Sequence, residues 1–129
     1  MQNSRFRHPD VAARKRLTSN VTRMNPVTAY KRRAEFRFLD VRDRGQWHRG
    51  TIGGSLNVPL FDLPKITSRL RETDRVVVIC NSGLLADVAA AWLTSRGFRA
   101  VSIDGGLEAW VRSELPLVSS DGRRGELVA

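Results

Sequence analysis

Residues 76–93 read VVVICNSGLLADVAAAWL, and this stretch decides the fold. Its opening, taken with Arg75 as RVVVIC, is an almost wholly apolar run of β-branched residues. Such a run suits a strand buried on both faces of a parallel sheet. NSG then breaks it as a turn, with Gly83 free to take a backbone conformation closed to other residues. LLADVAAAWLTSRG follows with helical spacing. Leu85, Val88, Ala89 and Trp92 form the expected apolar stripe, and Gly97 stands where a left-handed C-terminal cap belongs. The sole cysteine, Cys80, sits at the point where strand gives way to turn.

Working outward, RAVSI predicts another strand, DGG a turn, and LEAWV a short helix closed off by Pro116. Upstream, FRFLDV predicts a strand ending in Asp40. The following RDRGQWHRGTIGGSLNVPL is rich in glycine and reads mainly as loop, with a short strand at Ser55–Val58. In DLPKITSRL, Leu63, Ile66 and Leu70 fall at helical spacing behind Asp62 as a candidate cap. Near NPVTAYKRRAEF, Asn25 or Thr28 could cap a short helix with Pro26 at its start. Strands alternating with helices through short connections predict an α/β protein, with a parallel sheet covered by helices on both faces.

At 129 residues and 41% apolar content, the chain can build one domain around one core. Three segments are expected: a basic, flexible arm over 1–24, the domain over 25–117, and a polar, frayed tail over 118–129. The net charge of +9 is uneven: residues 1–33 hold nine Lys or Arg against Asp10 alone, while the rest is nearly neutral. A basic arm could bind RNA, DNA or an acidic protein, but no nucleic-acid motif accompanies the charge, and a solvated extension is the preferred reading. A single cysteine excludes an intrachain disulfide and a multi-cysteine metal site, and fits a reducing compartment. With no long apolar run and no signal-like segment, a cytoplasmic protein with no membrane partner is expected. His8 and His48 lie far apart without partner ligands, so no metal site and no cofactor are expected. Trp47, Trp92 and Trp110 read as packing or loop-anchoring residues, and IGG and DGG as turns rather than a dinucleotide fingerprint.

In an open parallel sheet, ligands bind beyond the C-terminal ends of the strands, where Cys80 lies. Backbone N–H groups from a tight turn and a helix start would point inward there and form an anion site around the sulfur. A thiol so placed is expected to have a lowered pKa, and the same cradle would stabilise a persulfide. The alternative is a buried strand cysteine acting as a small hydrophobe. Residue types alone leave both open.

Asp40-Val41-Arg42 stands at a strand end, Ile52, Gly54, Ser55, Asn57, Val58 and Pro59 in the loop, then Cys80, Ser82 and Gly83, then Asp104, Gly105, Gly106 and Trp110. This ordered set of motifs resembles the rhodanese-like family. The likeness covers roughly residues 27–117. It implies a rhodanese-like fold with a central parallel sheet of about five strands, and sulfurtransferase activity without a cofactor. Cys80 would be the nucleophile that becomes a persulfide, and the backbone of Asn81, Ser82, Gly83, Leu84, Leu85 and Ala86 the anion cradle. Asp40 and Arg42 would belong to the supporting framework, in preference to a surface ion pair. The implied donor is a small sulfur-containing anion such as thiosulfate, or a protein persulfide; the acceptor is a thiol or cyanide.

Several positions depart from the family pattern. Leu85 stands where many catalytic members carry Arg, Ala86 where Ser is usual, and Asn81 where Arg is common. Loss of the guanidinium predicts weak thiosulfate affinity, unless Arg42, Arg49 or the N-terminal arm supplies a charge. Gln46 and Thr51, where the family often has Glu and His, could loosen the loop. Phosphatases of related fold need Arg at position 86, which is Ala, so that activity is not expected. Two functions fit the residues: a sulfurtransferase working through Cys80, and a rhodanese-like binding or sulfur-relay module with little catalysis.

Overall fold

A computed structural model describes residues 21–128. Four consecutive β-branched residues, Val76–Ile79, make β4 (Arg75–Ile79) the sheet's central strand, and all four are buried. To one side lies β2 (Arg37–Asp40), followed at the edge by β3 (Leu56–Asn57). To the other lie β5 (Arg99–Ile103) and, at the far edge, β1 (Arg23–Met24). Every pairing is parallel, giving the order β1-β5-β4-β2-β3. The expected α/β fold with about five parallel strands is therefore what forms. One boundary moves: β1 lies inside the segment 1–24 expected to be a flexible arm, and pairs Arg23 with Ser102. The rest of that arm, residues 1–20, lies outside the described residues.

Side chains of β4 alternate between two cores, as strand geometry requires. Val76 and Val78 face the core built with Leu39, Ile66, Ala89 and Leu93. Val77 and Ile79 face the other, with Phe38, Ile103, Leu107 and Trp110. Truncating a fully buried residue such as Ile79 to Ala would cost about 2–5 kcal/mol. The first core is roofed by α3 (Leu84–Ser95) and by a 3-10 run over Leu60–Ser68. The second is roofed by α1 (Pro26–Lys31) and α4 (Gly106–Arg112). Asn25 does cap α1, its Oδ1 accepting from the Val27 N–H at 2.8 Å.

Four local expectations are corrected. The buried stripe of α3 is Ala86, Ala89, Ala90 and Leu93, rotated from the expected one, and Leu85 is 47% exposed. Small alanines let the helix lie close to the sheet, which outweighs burying the larger Leu85 and Trp92. A helix, α2 (Arg44–Arg49), occupies part of the expected loop, started by Asp43, whose side chain accepts from the Gln46 N–H. Pro64 keeps the DLPKITSRL segment from α-helix, yet Leu63, Ile66 and Leu70 are buried as the spacing predicts. Finally, the tail beyond 117 is not frayed. Val118 bridges Thr51 and Arg124, and Leu127 packs against the second core.

Candidate functional site

Cys80 is the first residue beyond β4, on the face covered by α3. Its Sγ accepts from the Gly83 N–H at 3.1 Å and the Ala86 N–H at 3.3 Å. This convergence requires the chain to turn back within three residues, and Gly83 does so at φ +100°, a left-handed conformation that disfavours any side chain. The loop carbonyls are directed elsewhere. Cys80 O accepts from Leu107 N–H at 2.9 Å and Asn81 O from Glu108 N–H at 3.0 Å, both in the first turn of α4. With those carbonyls tied off, the loop offers the sulfur donors rather than acceptors.

The DGG turn makes this bracing possible. Gly106 sits at φ +64°, and a Cβ there would lie 2.5 Å from Asn81 O and 2.7 Å from Cys80 O. Only glycine lets α4 approach the loop closely enough to bind its carbonyls.

Electrostatics correct one expectation. Cys80 is 2% exposed, and burial pushes its thiol above the ordinary value. The N–H groups of Ala86, Gly83, Leu85 and Ser82 pull the other way without overcoming it. Among the described residues the sulfur is met by dipoles alone, and desolvation outweighs them. Leu84 and Leu85, where the loop passes into α3, are 64% and 47% exposed and form an apolar, uncharged rim to the loop.

Asp40 and Arg42 are not a surface pair. They are 0% and 3% exposed, and Arg42 Nη2 approaches Asp40 Oδ2 to 2.7 Å. The guanidinium also donates to Gly50 O at 2.6 Å and to Asn81 Oδ1 at 3.2 Å. Four of its five N–H donors are thus directed at Asp40, Gly50 and Asn81 below the loop, so it does not stand in for the guanidinium missing at position 85. Arg49 pairs instead with Glu126 of the tail. Thr51, expected to loosen the loop, braces it: its hydroxyl donates to Asp40 Oδ2 at 2.8 Å and shares a hydrogen bond with Ser55.

Among the described residues no group of His, Cys, Asp and Glu could hold a metal, and no helix is long and apolar enough to cross a membrane. His48 is exposed, and His8 lies outside the described residues. Trp110 is buried and donates to Pro116 O, Trp47 donates to Ser55 Oγ, and Trp92 packs beside the first core under Arg96. Sequence reasoning misses the side chain of Asn81, which donates to Val128 O at 3.2 Å. It gives a role to the backbone of that residue alone, and nothing local marks a contact to the tail. It also misses Asp87, buried in the first turn of α3, which accepts from Ser102 Oγ at 2.5 Å and from Arg23 at 2.7 Å. These contacts tie the start of α3 to β5 and to β1, one residue beyond Ala86.

A family model described as "Rhodanese-like domain" matches residues 25–113. A protein of Allochromatium vinosum named sulfurtransferase is 32% identical over 85 residues, spanning 65% of this chain and 79% of that one. Thiosulfate sulfurtransferase GlpE of Vibrio cholerae is 26% identical over 98 residues, spanning 75% of this chain and 92% of that one. Of a longer relative from Bacillus subtilis, the matched region spans 40%. Among solved structures, a rhodanese-related protein from Thermoplasma volcanium superposes with a TM-score of 0.72 at 27% identity, covering 75% of this chain and 97% of that one.

Proposed function

The chain belongs to the rhodanese-like domain family, and on that premise we propose that it is a sulfurtransferase that carries sulfane sulfur on Cys80. The observation that supports this most is the convergence of the Gly83 and Ala86 N–H groups on Sγ, with the neighbouring carbonyls turned into α4. In the first step the Cys80 thiolate attacks the outer sulfur of the donor. A Cys–S–S bond forms, the donor's S–S bond breaks, and its electron pair leaves with sulfite when the donor is thiosulfate. The negative charge passes from Sγ to the terminal sulfur, still within reach of the cradle's dipoles. In the second step a thiolate or cyanide attacks that terminal sulfur, and the pair of the breaking S–S bond returns to Sγ as thiolate. No cofactor enters either step.

Low efficiency with thiosulfate follows from the apolar rim, since Leu84 and Leu85 offer a dianion no countercharge. A carbon-bound persulfide, including one on a protein, makes less demand for such a charge. Cycling one free cysteine suits a reducing compartment, which supports a cytoplasmic site of action.

The test is intact-mass measurement after incubation with excess thiosulfate or a persulfide donor, alongside Cys80→Ser. A gain of one sulfur atom, cleared by cyanide and missing from the variant, is the expected result. A binding or relay module is the second reading, favoured by the exposed Leu84 and Leu85 at the rim. The binding form of it replaces the first if neither donor leaves an adduct, and the relay form if an adduct forms but no acceptor clears it.

A further inference from the structure

The family match ends at Ser113, directly after α4, and the segment beyond it returns to the cysteine site. Val118 and Thr51 exchange backbone hydrogen bonds of 2.8 and 3.0 Å, Gly125 N–H donates to Leu117 O, and Glu126 N–H donates to Arg49 O. The seat is tight. A Cβ on Gly50 would lie 2.2 Å from Glu126 O, and one on Gly125 would lie 2.8 Å from Gly50 Cα. Residues 118–128 thus form a strap laid on the end of α2, and it finishes against the loop that holds Cys80. There, Asn81 is held from two sides: Arg42 Nη1 donates to its Oδ1 at 3.2 Å, and its Nδ2 donates to Val128 O at 3.2 Å.

We propose that Asn81 is a positioning residue and that the strap is a working part of the cysteine site. By gripping the Asn81 carboxamide between Val128 and the buried Arg42, the strap sets the start of the turn whose N–H groups reach Sγ. Asn81 O is fixed independently by Glu108 N–H, so the side-chain grip controls the orientation of the loop on its other flank. This rests on the reading of Cys80 as the reactive group, but its test does not require sulfur transfer.

The experiment compares the full chain with its Gly125→Val variant, which lifts the strap off Gly50 without deleting it, each with Asn81 and with Asn81→Ala. The rate of Cys80 alkylation by iodoacetamide is followed across its pH profile, with sulfur loading as a second readout. In the Asn81 background, lifting the strap is expected to slow alkylation at neutral pH by about fivefold, as for one lost hydrogen bond between neutral groups. In the Asn81→Ala background the same change is expected to have a clearly smaller effect, because the part of the strap's action that runs through that side chain is already lost. A chain ending at Glu126, which lacks the Val128 carbonyl, repeats the comparison should Gly125→Val fail to fold. The same factor in both backgrounds, no effect in either, or acceleration overturns the proposal. If Cys80 alkylates as expected but takes up no sulfur, the sulfurtransferase reading fails and this one stands.

Discussion

Asp40→Asn isolates the charge that holds the base of the cysteine loop. The Asp40 carboxylate accepts from the Arg42 backbone N–H at 3.0 Å, from Arg42 Nε at 3.0 Å and Nη2 at 2.7 Å, and from Thr51 Oγ1 at 2.8 Å. Asparagine keeps the shape, but turns an NH2 toward donors and leaves a guanidinium of 2% side-chain exposure without its anion. Removing one partner of a buried, hydrogen-bonded pair costs about 3–5 kcal/mol, against about 0–1 kcal/mol for an exposed pair. Total stability of a domain this size is about 5–15 kcal/mol, so the change removes a large part of it. Urea unfolding followed by tryptophan fluorescence and far-UV circular dichroism is expected to show the midpoint falling by about 2 M, at a slope near 2 kcal/mol per molar. Heating should show a melting point lower by roughly 10–20 °C. Replacing both partners, Asp40→Leu with Arg42→Met, should recover only part of the loss: no charge is then stranded, but the Arg42 backbone N–H and Gly50 O lose their partners. A loss below about 1 kcal/mol for Asp40→Asn would refute the reasoning, because it would place the pair in water-like surroundings.

Other outcomes follow from the same geometry. Leu85→Arg, at a half-exposed position on the rim, should lower KM for thiosulfate about tenfold to hundredfold by supplying a charge-assisted hydrogen bond of about 1.5–3 kcal/mol. Sulfite release in steady state measures it, and an unchanged KM means that this side chain does not face the donor. Gly106→Ala should destabilise the domain by about 1–3 kcal/mol, through a left-handed residue and a Cβ forced onto Asn81 O, and should slow sulfur loading in the folded fraction. Because burial raises the Cys80 pKa, the thiolate population and the alkylation rate should still be climbing as pH passes the ordinary thiol value of about 8.5. A plateau reached at or below that value would mean that the N–H dipoles outweigh desolvation.

The β4–loop–α3 unit is legible because its information is local. Four β-branched residues, a glycine that permits φ +100°, and a helical run specify strand, turn and helix without reference to the rest of the chain. Cys80 and the residues donating to it are within six positions of one another, so the cradle can be inferred from order alone. The reading fails where other groups compete. Asp43 starts a helix that nearby glycines argue against, and alanine packing, rather than the size of Leu85 or Trp92, orients α3. The sequence by itself determined the parallel α/β architecture, the place of the cysteine at a strand's end and the lack of a cation at position 85. Only the tertiary structure decided that desolvation lifts the thiol's pKa, that Arg42 is spent on Asp40, and that the tail reaches Asn81. Burial and hydrogen bonding depend on which distant segments meet, and sequence spacing carries no direct record of a contact such as Asn81 to Val128, 47 residues apart.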